Sequence, residues 1–405
     1  MDYIIERGES DKIREESIWL LIYGRRKTGK TFLLRHLCGF THYYLVKKDL
    51  SIFAPEKTIS KKELLRECKR LLLGNKSVVI DEFQRLKESD IEELTTLHPK
   101  GRLILCGSSM RIVKKIFEPR SSLLGFFTPL KIGFIRPKDI FLEMSTSLDP
   151  VKLVEASTFL REPWLIPLFR GENALRFIYR IITRSRYVIT ALTGEIFTEE
   201  ERELTRKYEA ILRLVGAGVW NTQELASILY SRELIPSPSP THIIQYLKNL
   251  EEMDLVESIK LHRSKKKYYR LLSPIMNIYY YLDSKYDIGS REVSFSEVRP
   301  TLQRLIDMEI QNFIADLFAS LYDGRKEYYV SPSKEVDFII TKRNRVEVVG
   351  EVKWKKLSRR DLEIFSAKTK EMYGKKVLIC KEAEIRDEAV DIIDSRKLIS
   401  LVSNP

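Results

Sequence analysis

A chain of 405 residues that is 43% hydrophobic is too long for one core and apolar enough to build several. Its 70 lysines and arginines against 57 acidic residues give a formal net charge of +13, which suits a polyanionic partner, nucleic acid first, and equally the charge-rich solvated surface of a heat-adapted protein; location must decide. No apolar run is long enough to cross a bilayer, no signal peptide opens the chain, and Cys38, Cys68, Cys106 and Cys380 have no paired spacing, so the expectation is a cytoplasmic protein without membrane span, zinc site or disulfide frame.

The organising stretch is 17–37, SIWLLIYGRRKTGKTFLLRHL. An apolar strand runs into Gly24-Arg25-Arg26-Lys27-Thr28-Gly29-Lys30-Thr31 and then into a helix, the G-x-x-x-x-G-K-T pattern in its proper strand–loop–helix context. The glycines let backbone N–H groups converge on phosphate oxygens. Lys30 adds a point charge, the Thr31 hydroxyl can ligate Mg²⁺, and the helix start adds its positive dipole end. The pattern predicts ATP and Mg²⁺ binding.

Further along, Thr41–Val46 reads as a strand, Lys61–Leu73 as a helix and Ser77–Phe83 (SVVIDEF) as a strand ending in two carboxylates. Downstream of such a loop, Asp81 is expected to hold the Mg²⁺ shell and Glu82 to polarise the attacking water. Arg102–Ser109 is another buried strand, whose terminal Ser108 or Ser109 is placed to sense the γ-phosphate; Pro129–Phe134 is a fifth strand. Strands alternating with helices predict a mostly parallel, doubly wound α/β sheet with its ligand at the strands' carboxyl ends.

GRRKTGKT, VVIDEFQ and LILCGSS together resemble the archaeal ATPases of the AAA+/STAND superfamily. The resemblance implies that the serine closing the third motif is the polar sensor, and that a small helical lid over 138–200 carries a Gly-x-Pro turn that packs on adenine. The matching stretch here is Arg161-Glu162-Pro163, which keeps the proline, Pro163, and lacks the glycine. Where the family carries an S-P-L-Y-G-R segment, this chain has Ser121-Ser122-Leu123-Leu124-Gly125-Phe126, so Phe126 stands in the arginine's place. Arg111, Arg120 and Arg136 remain as alternative fingers.

Residues 201–290 read as helix, helix, helix and hairpin, the winged helix-turn-helix order. Glu199–Val215 has helical apolar spacing, Asn221 caps a short helix, and Ser239 with Pro240 starts the next one. The hairpin turn holds Arg263, Lys265, Lys266 and Lys267 beside Tyr268 and Tyr269, residue types suited to phosphate contacts on DNA.

The last segment, 295–405, opens on a helix over Arg299–Leu321 in which Leu305, Phe313 and Leu317 form one stripe with Glu309 in line. A carboxylate there needs a positive partner, and a metal ion would serve. Two strands follow, Val336–Thr341 and Val346–Trp354, then a helix over Arg359–Tyr373, a strand over Lys376–Cys380, a helix and a last strand near Ser400. Glu351 and Lys353 are two apart and share a face, and hairpin pairing brings Asp337 beside them. This order and this triad resemble the PD-(D/E)xK nuclease superfamily, which implies a restriction-endonuclease-like α/β fold. By that chemistry Asp337 and Glu351, with Glu309, would hold Mg²⁺, Lys353 would orient water, and Lys355 and Arg359 would grip the DNA backbone.

The sequence thus predicts a P-loop ATPase core over 1–137, a helical lid over 138–200, a winged helix over 201–290 and a nuclease-like domain over 295–405. The expected activity is ATP hydrolysis coupled to DNA binding and Mg²⁺-dependent cleavage. Two other readings are a non-cleaving DNA-binding ATPase, and a STAND-like switch that binds ATP and homo-oligomerises without DNA.

Overall fold

The computed structural model describes residues 3–16, 18–55, 57–200, 202–331 and 334–403; Ser17, which heads the loop-bearing stretch, lies outside them. By internal packing the chain divides into two compact units. One comprises Glu6–Ile135 with Leu192–Glu203; the other comprises Met1–Ile5, Arg136–Ala191 and Leu204–Pro405.

The first unit is built on seven strands: β1 (Leu20–Tyr23), β2 (Tyr43–Val46), β3 (Ile52–Phe53), β4 (Thr58–Ile59), β5 (Ser77–Asp81), β6 (Arg102–Gly107) and β7 (Thr128–Lys131). Their order is β4-β3-β2-β5-β6-β1-β7. The five strands from β2 to β7 are parallel, whereas β3 and β4 form an antiparallel ribbon on the edge. That ribbon is invisible in the sequence because two-residue strands carry no periodicity. Buried on both faces, the central strands read as continuous apolar runs. Leu21, Ile80 and Leu105 pack with Leu64 and Leu72 of the Lys61–Leu73 helix, while Ile22, Val79 and Ile104 pack with Ile13, Leu33 and Leu34 on the other face. Ser60 and Glu63 form a reciprocal capping box that fixes the start of that helix. The strand order leaves β6 between the strand of the phosphate loop and the strand ending in Asp81. Three chain segments therefore deliver their chemistry to one edge.

The second unit holds β8 (Val256–Leu261), β9 (Lys267–Leu271), β10 (Arg325–Val330), β11 (Glu335–Lys342), β12 (Arg345–Lys356), β13 (Lys375–Glu382) and β14 (Asp391–Ile393). They form one sheet in the order β14-β13-β12-β11-β10-β8-β9. The sequence reading separates 201–290 from 295–405, but β10 joins them: it runs parallel to β8, and the His262 N–H donates to the Tyr328 carbonyl at 2.6 Å. RKEYYV, the sequence of β10, has no clean apolar alternation, which is why it was not expected. Asn221 does cap its helix, accepting from the Glu224 N–H at 2.8 Å.

Four local expectations need correction. The predicted helix across Glu199–Val215 is two helices, Arg186–Glu199 and Arg206–Gly216. The break falls where Glu200 turns its carboxylate onto the N–H groups of Met110 and Arg111, at 2.6 and 2.9 Å. The helix after the proline-rich loop starts at Thr241, with Pro240 rather than Ser239 at its cap position. The long helix begins at Phe295, four residues before Arg299, because Ser294 caps it one turn ahead of Pro300. At the end of the chain the expected helix-then-strand is inverted: β14 precedes the helix Ser395–Ser403. No helix of the described residues is long and apolar enough to cross a membrane.

Candidate functional site

The loop after β1 closes tightly on itself. Gly24 has a φ of +151°, and a Cβ there would stand 2.0 Å from the Ile132 carbonyl oxygen, so no other residue fits. The Thr28 hydroxyl donates to the Arg25 carbonyl at 2.9 Å, and the Arg25 guanidinium lies over the Phe134 ring. Arg7 braces the loop from outside, donating to the carbonyls of Thr28 and Gly133 at 2.9 and 3.1 Å. Lys27 is exposed at the loop's tip with a positive φ. Gly29 precedes the helix in a left-handed conformation, and Lys30 starts that helix.

Lys30 is buried, and its ammonium donates to the carbonyls of Gly24 and Arg25 at 2.7 and 2.9 Å. Burial lowers its pKa, and the carboxylates of Glu82, Asp81 and Glu199 act against that. Next to it the Thr31 hydroxyl donates to Asp81 Oδ2 at 2.7 Å, and the Tyr43 hydroxyl donates to the same oxygen at 2.6 Å. Thr31 and Asp81 are thus already within the span that a hydrated Mg²⁺ bridges, which is the fit expected of this donor set. Tyr43 was not foreseen; it sits on β2, whose neighbour is β5.

Glu82 follows directly, in a left-handed conformation (φ 58°, ψ 36°) that a non-glycine residue adopts at a cost of about 1 kcal/mol or more. Burial raises its pKa, with Arg85 opposing. Its Oε2 accepts from Gln84 Nε2 and from Arg85 Nη2, both at 2.9 Å. The Gln84 amide also donates to Ser108 Oγ at 3.1 Å. Ser108 and Ser109 separate in role. Ser109 caps the helix Met110–Ile116, while Ser108 points its hydroxyl at Glu199 Oε2, 2.8 Å away. Glu199 also takes Arg26 Nη1 at 3.0 Å. Glu199 gave no sign in the sequence, being more than ninety residues from Ser108 and in no motif.

Pro163 and Arg161 belong to the second unit. Pro163 opens a short 3₁₀ turn, Pro163–Leu168, and Arg161 pairs with Asp316 at 2.7 Å. Of the alternative fingers, Arg136 is held by Asp139 at 2.8 Å.

A second constellation lies on β11 and β12. The register pairs Phe338 with Gly350, so one step further sets Asp337 opposite Glu351. Asp337 Oδ2 accepts from the Val352 N–H at 2.8 Å. Lys353 Nζ pairs with Glu351 Oε1 at 2.7 Å, and Lys368, from the helix Arg359–Thr369, pairs with the other oxygen. The expected triad is therefore brought together on one face, with Lys368 as an unforeseen fourth member. Burial pushes the Asp337 pKa up to about 6, and the Glu351 carboxylate adds to the rise.

Glu309 does not join it. Both of its oxygens are taken, one by the buried Arg270 guanidinium and the other by Asn277 Nδ2 at 2.6 Å. The positive partner that its apolar surroundings require is an arginine, not a metal ion. Among the described residues no group of three or more His, Cys, Asp or Glu side chains is arranged to hold a metal. Asp337 and Glu351 would have to bind one as a pair, after a lysine leaves Glu351.

Arg263, Lys265, Lys266 and Lys267 stand exposed at the β8–β9 turn. Lys265 to Lys267 line an open cleft of about 750 Å³ together with Trp220, Thr222 and, from the helix Thr241–Glu252, Lys248 and Glu251. Lys355 is paired with Asp361 at 3.0 Å, and Arg359 is exposed at the start of its helix.

The phosphate loop, the Thr31–Asp81 pair, Glu82 and Ser108 on a five-stranded parallel sheet define a P-loop ATPase domain. Residues 16–132 match the family model described as an AAA domain. No curated protein matches the chain significantly. Among solved structures the chain is similar to a Walker-type ATPase of Pyrococcus abyssi, at 19% identity and a TM-score of 0.50, over 68% of this chain and 96% of that one. It is also similar to the ORC2 protein of Aeropyrum pernix, at 15% identity and a TM-score of 0.41, over 78% of this chain and 97% of that one. The ORC1 protein of the same organism, solved in complex with DNA, follows at 16% identity and a TM-score of 0.32, over 72% and 96%.

Proposed function

We propose that the chain is a Mg²⁺-dependent ATPase whose nucleotide state governs the binding of DNA by its second unit. Asp81 and Thr31 hold the cation, Lys30 and the backbone of Gly24 to Gly29 hold the phosphates, and Glu82 receives a proton from the attacking water. The helices and hairpin of 206–271 act as a winged helix, and DNA phosphates are gripped by Arg263, Lys265, Lys266 and Lys267. The observation that carries the DNA assignment is the open cleft lined by Lys248 together with Lys265, Lys266 and Lys267 of the hairpin, four cations against the one carboxylate of Glu251. The test is fluorescence anisotropy on duplex DNA at two salt concentrations, with ATP, ADP and no nucleotide. Salt-sensitive binding that differs between ATP and ADP supports the proposal; binding by neither form leaves a partner-binding switch that homo-oligomerises without DNA.

A second activity is favoured by one further observation, the placement of Asp337 across from Glu351 with Lys353 on the same face. This is the donor set for metal-dependent phosphodiester cleavage, with Lys355 and Arg359 on the backbone beyond it. A bound divalent cation would lower the pKa of a water and shield the phosphodiester. Lys353 would turn from Glu351 to orient that water, while the Val352 N–H fixes the Asp337 carboxylate through Oδ2. Incubation of plasmid and branched DNA with Mg²⁺ or Mn²⁺ decides it. Identical traces from wild type and Asp337→Ala would remove the nuclease and leave the DNA-binding ATPase.

A further inference from the structure

Glu199 sits where an anion is wanted and an acidic side chain is not. It is the last residue of the helix Arg186–Glu199, the end at which the helix dipole disfavours negative charge. Its carboxylate is nonetheless largely covered, with 15% of the side chain exposed. The groups that hold it come from three separate motifs. Arg26 of the phosphate loop donates to Oε1 at 3.0 Å; Ser108, at the end of β6, donates to Oε2 at 2.8 Å; Gln84, just past Glu82, donates to Oε2 at 3.3 Å. The next residue locks this arrangement, because Glu200 accepts the first two free N–H groups of the helix that follows Ser108.

We infer that the Glu199 carboxylate occupies the γ-phosphate position of the nucleotide site and makes that site discriminate ATP from ADP. The inference rests on the ATPase reading of this unit. Ser108 at the end of the strand between the two nucleotide motifs, and Arg26 in the loop itself, are donors that a terminal phosphate would use. A carboxylate that already satisfies both competes with that phosphate by charge and by volume. ADP ends short of these donors and leaves Glu199 in place, whereas ATP has to displace it. Displacement frees the end of the helix Arg186–Glu199 and also releases Gln84 from one of its acceptors. Gln84 is the side chain that touches Glu82 on its other bond, so entry of the γ-phosphate also changes the surroundings of the base.

The experiment measures ATP-analogue and ADP affinities, by calorimetry with Mg²⁺, for the wild type and for Glu199→Gln. The glutamine keeps the shape and removes the charge; its one oxygen still accepts from Arg26, and its NH2 turns the Ser108 bond round by donating to that hydroxyl oxygen. The expected result is a gain of about tenfold for the nonhydrolysable ATP analogue and less than about twofold for ADP, the size of one partly screened charge contact. Equal changes for the two nucleotides, or weaker binding of the ATP analogue, overturn the inference while leaving the ATPase intact. Failure of both proteins to bind either nucleotide overturns the ATPase reading itself. A thermal unfolding midpoint within a few degrees of the wild type, together with the ADP affinity, shows that the variant is folded, and Glu199→Ala repeats the test without the residual hydrogen bonds.

Discussion

The hydroxyl of Thr31 donates to Asp81 Oδ2 at 2.7 Å, joining the end of the phosphate loop to the end of β5 across the intervening strand β6. Two motifs fifty residues apart thereby meet at one point, and the division of labour around that point can be tested by separating binding from chemistry. Lys30→Ala removes the buried ammonium at the start of the helix that follows the loop and should abolish detectable nucleotide binding. Glu82→Gln leaves the loop, Thr31 and Asp81 intact and removes the proton acceptor. It should keep ATP affinity within a few-fold and lower hydrolysis by about a hundredfold or more. Filter binding and phosphate release on the two variants give these as separate readouts.

Glu309 and Arg270 provide a test of the correction made above. Arg270 is buried and bonds both Glu257, at 2.8 Å, and Glu309. Glu309→Gln removes one of its two counter-charges, and breaking a buried pair from one side is costly because the other charge stays behind. The loss should be about 3 kcal/mol in urea unfolding of the full chain, discounted from the top of the usual range because Glu257 remains. Double replacement of Arg270 and Glu309 by apolar residues should recover much of it. Divalent-cation affinity, measured separately, should not change, since Glu309 ligates nothing.

Local chemistry was legible and long-range chemistry was not. The phosphate loop, Asp81, Glu82 and Ser108 could be read because each lies within a few residues of a strand end, where spacing alone fixes geometry. Asp337, Glu351 and Lys353 could be read because strand periodicity and a hairpin turn, with Arg343 and Asn344 at positive φ, decide which face they share. Lys368 could not, because it reaches Glu351 from the following helix. Nor could Tyr43, Arg7 and Glu199, each brought in by tertiary packing from a segment with no motif. Glu309 was misassigned for the same reason: its stripe demanded a cation, but whether the cation is a metal or Arg270 depends on β9 folding back beside that helix.

Charge reversal at the β8–β9 turn gives a quantitative check on the DNA assignment. Lys265, Lys266 and Lys267 are exposed and line the same cleft as Lys248. If each neutralises one phosphate, replacing all three by glutamate should weaken binding at least a thousandfold at low salt. It should also flatten the slope of log affinity against log salt by about 3. On the proposed reading Glu351→Ala should leave both quantities unchanged, because that carboxylate is assigned to cleavage and not to the grip.

Asp337 ties stability to pH in an unusual direction. Burial raises its folded-state pKa from the ordinary 3.8 to about 6, with Glu351 adding to the rise and Lys353 and Lys368 opposing it. A carboxyl with a raised folded pKa binds its proton more tightly in the folded state than in the unfolded one. Its contribution is therefore fully present below about pH 4 and is lost as the pH climbs through about 6, a change of about 3 kcal/mol. Asp337→Asn keeps an acceptor for the Val352 N–H and cannot ionise. The variant should match the wild type in urea unfolding at about pH 3.5 and exceed it at about pH 7.5. Millimolar Mg²⁺ at pH 7.5 should narrow the gap by stabilising only the wild type, because a carboxylate must be ionised to ligate the cation. Equal pH slopes for the two proteins would mean that Asp337 is as well solvated in the folded chain as in the unfolded one, and that burial at this end of β11 puts no strain on its charge.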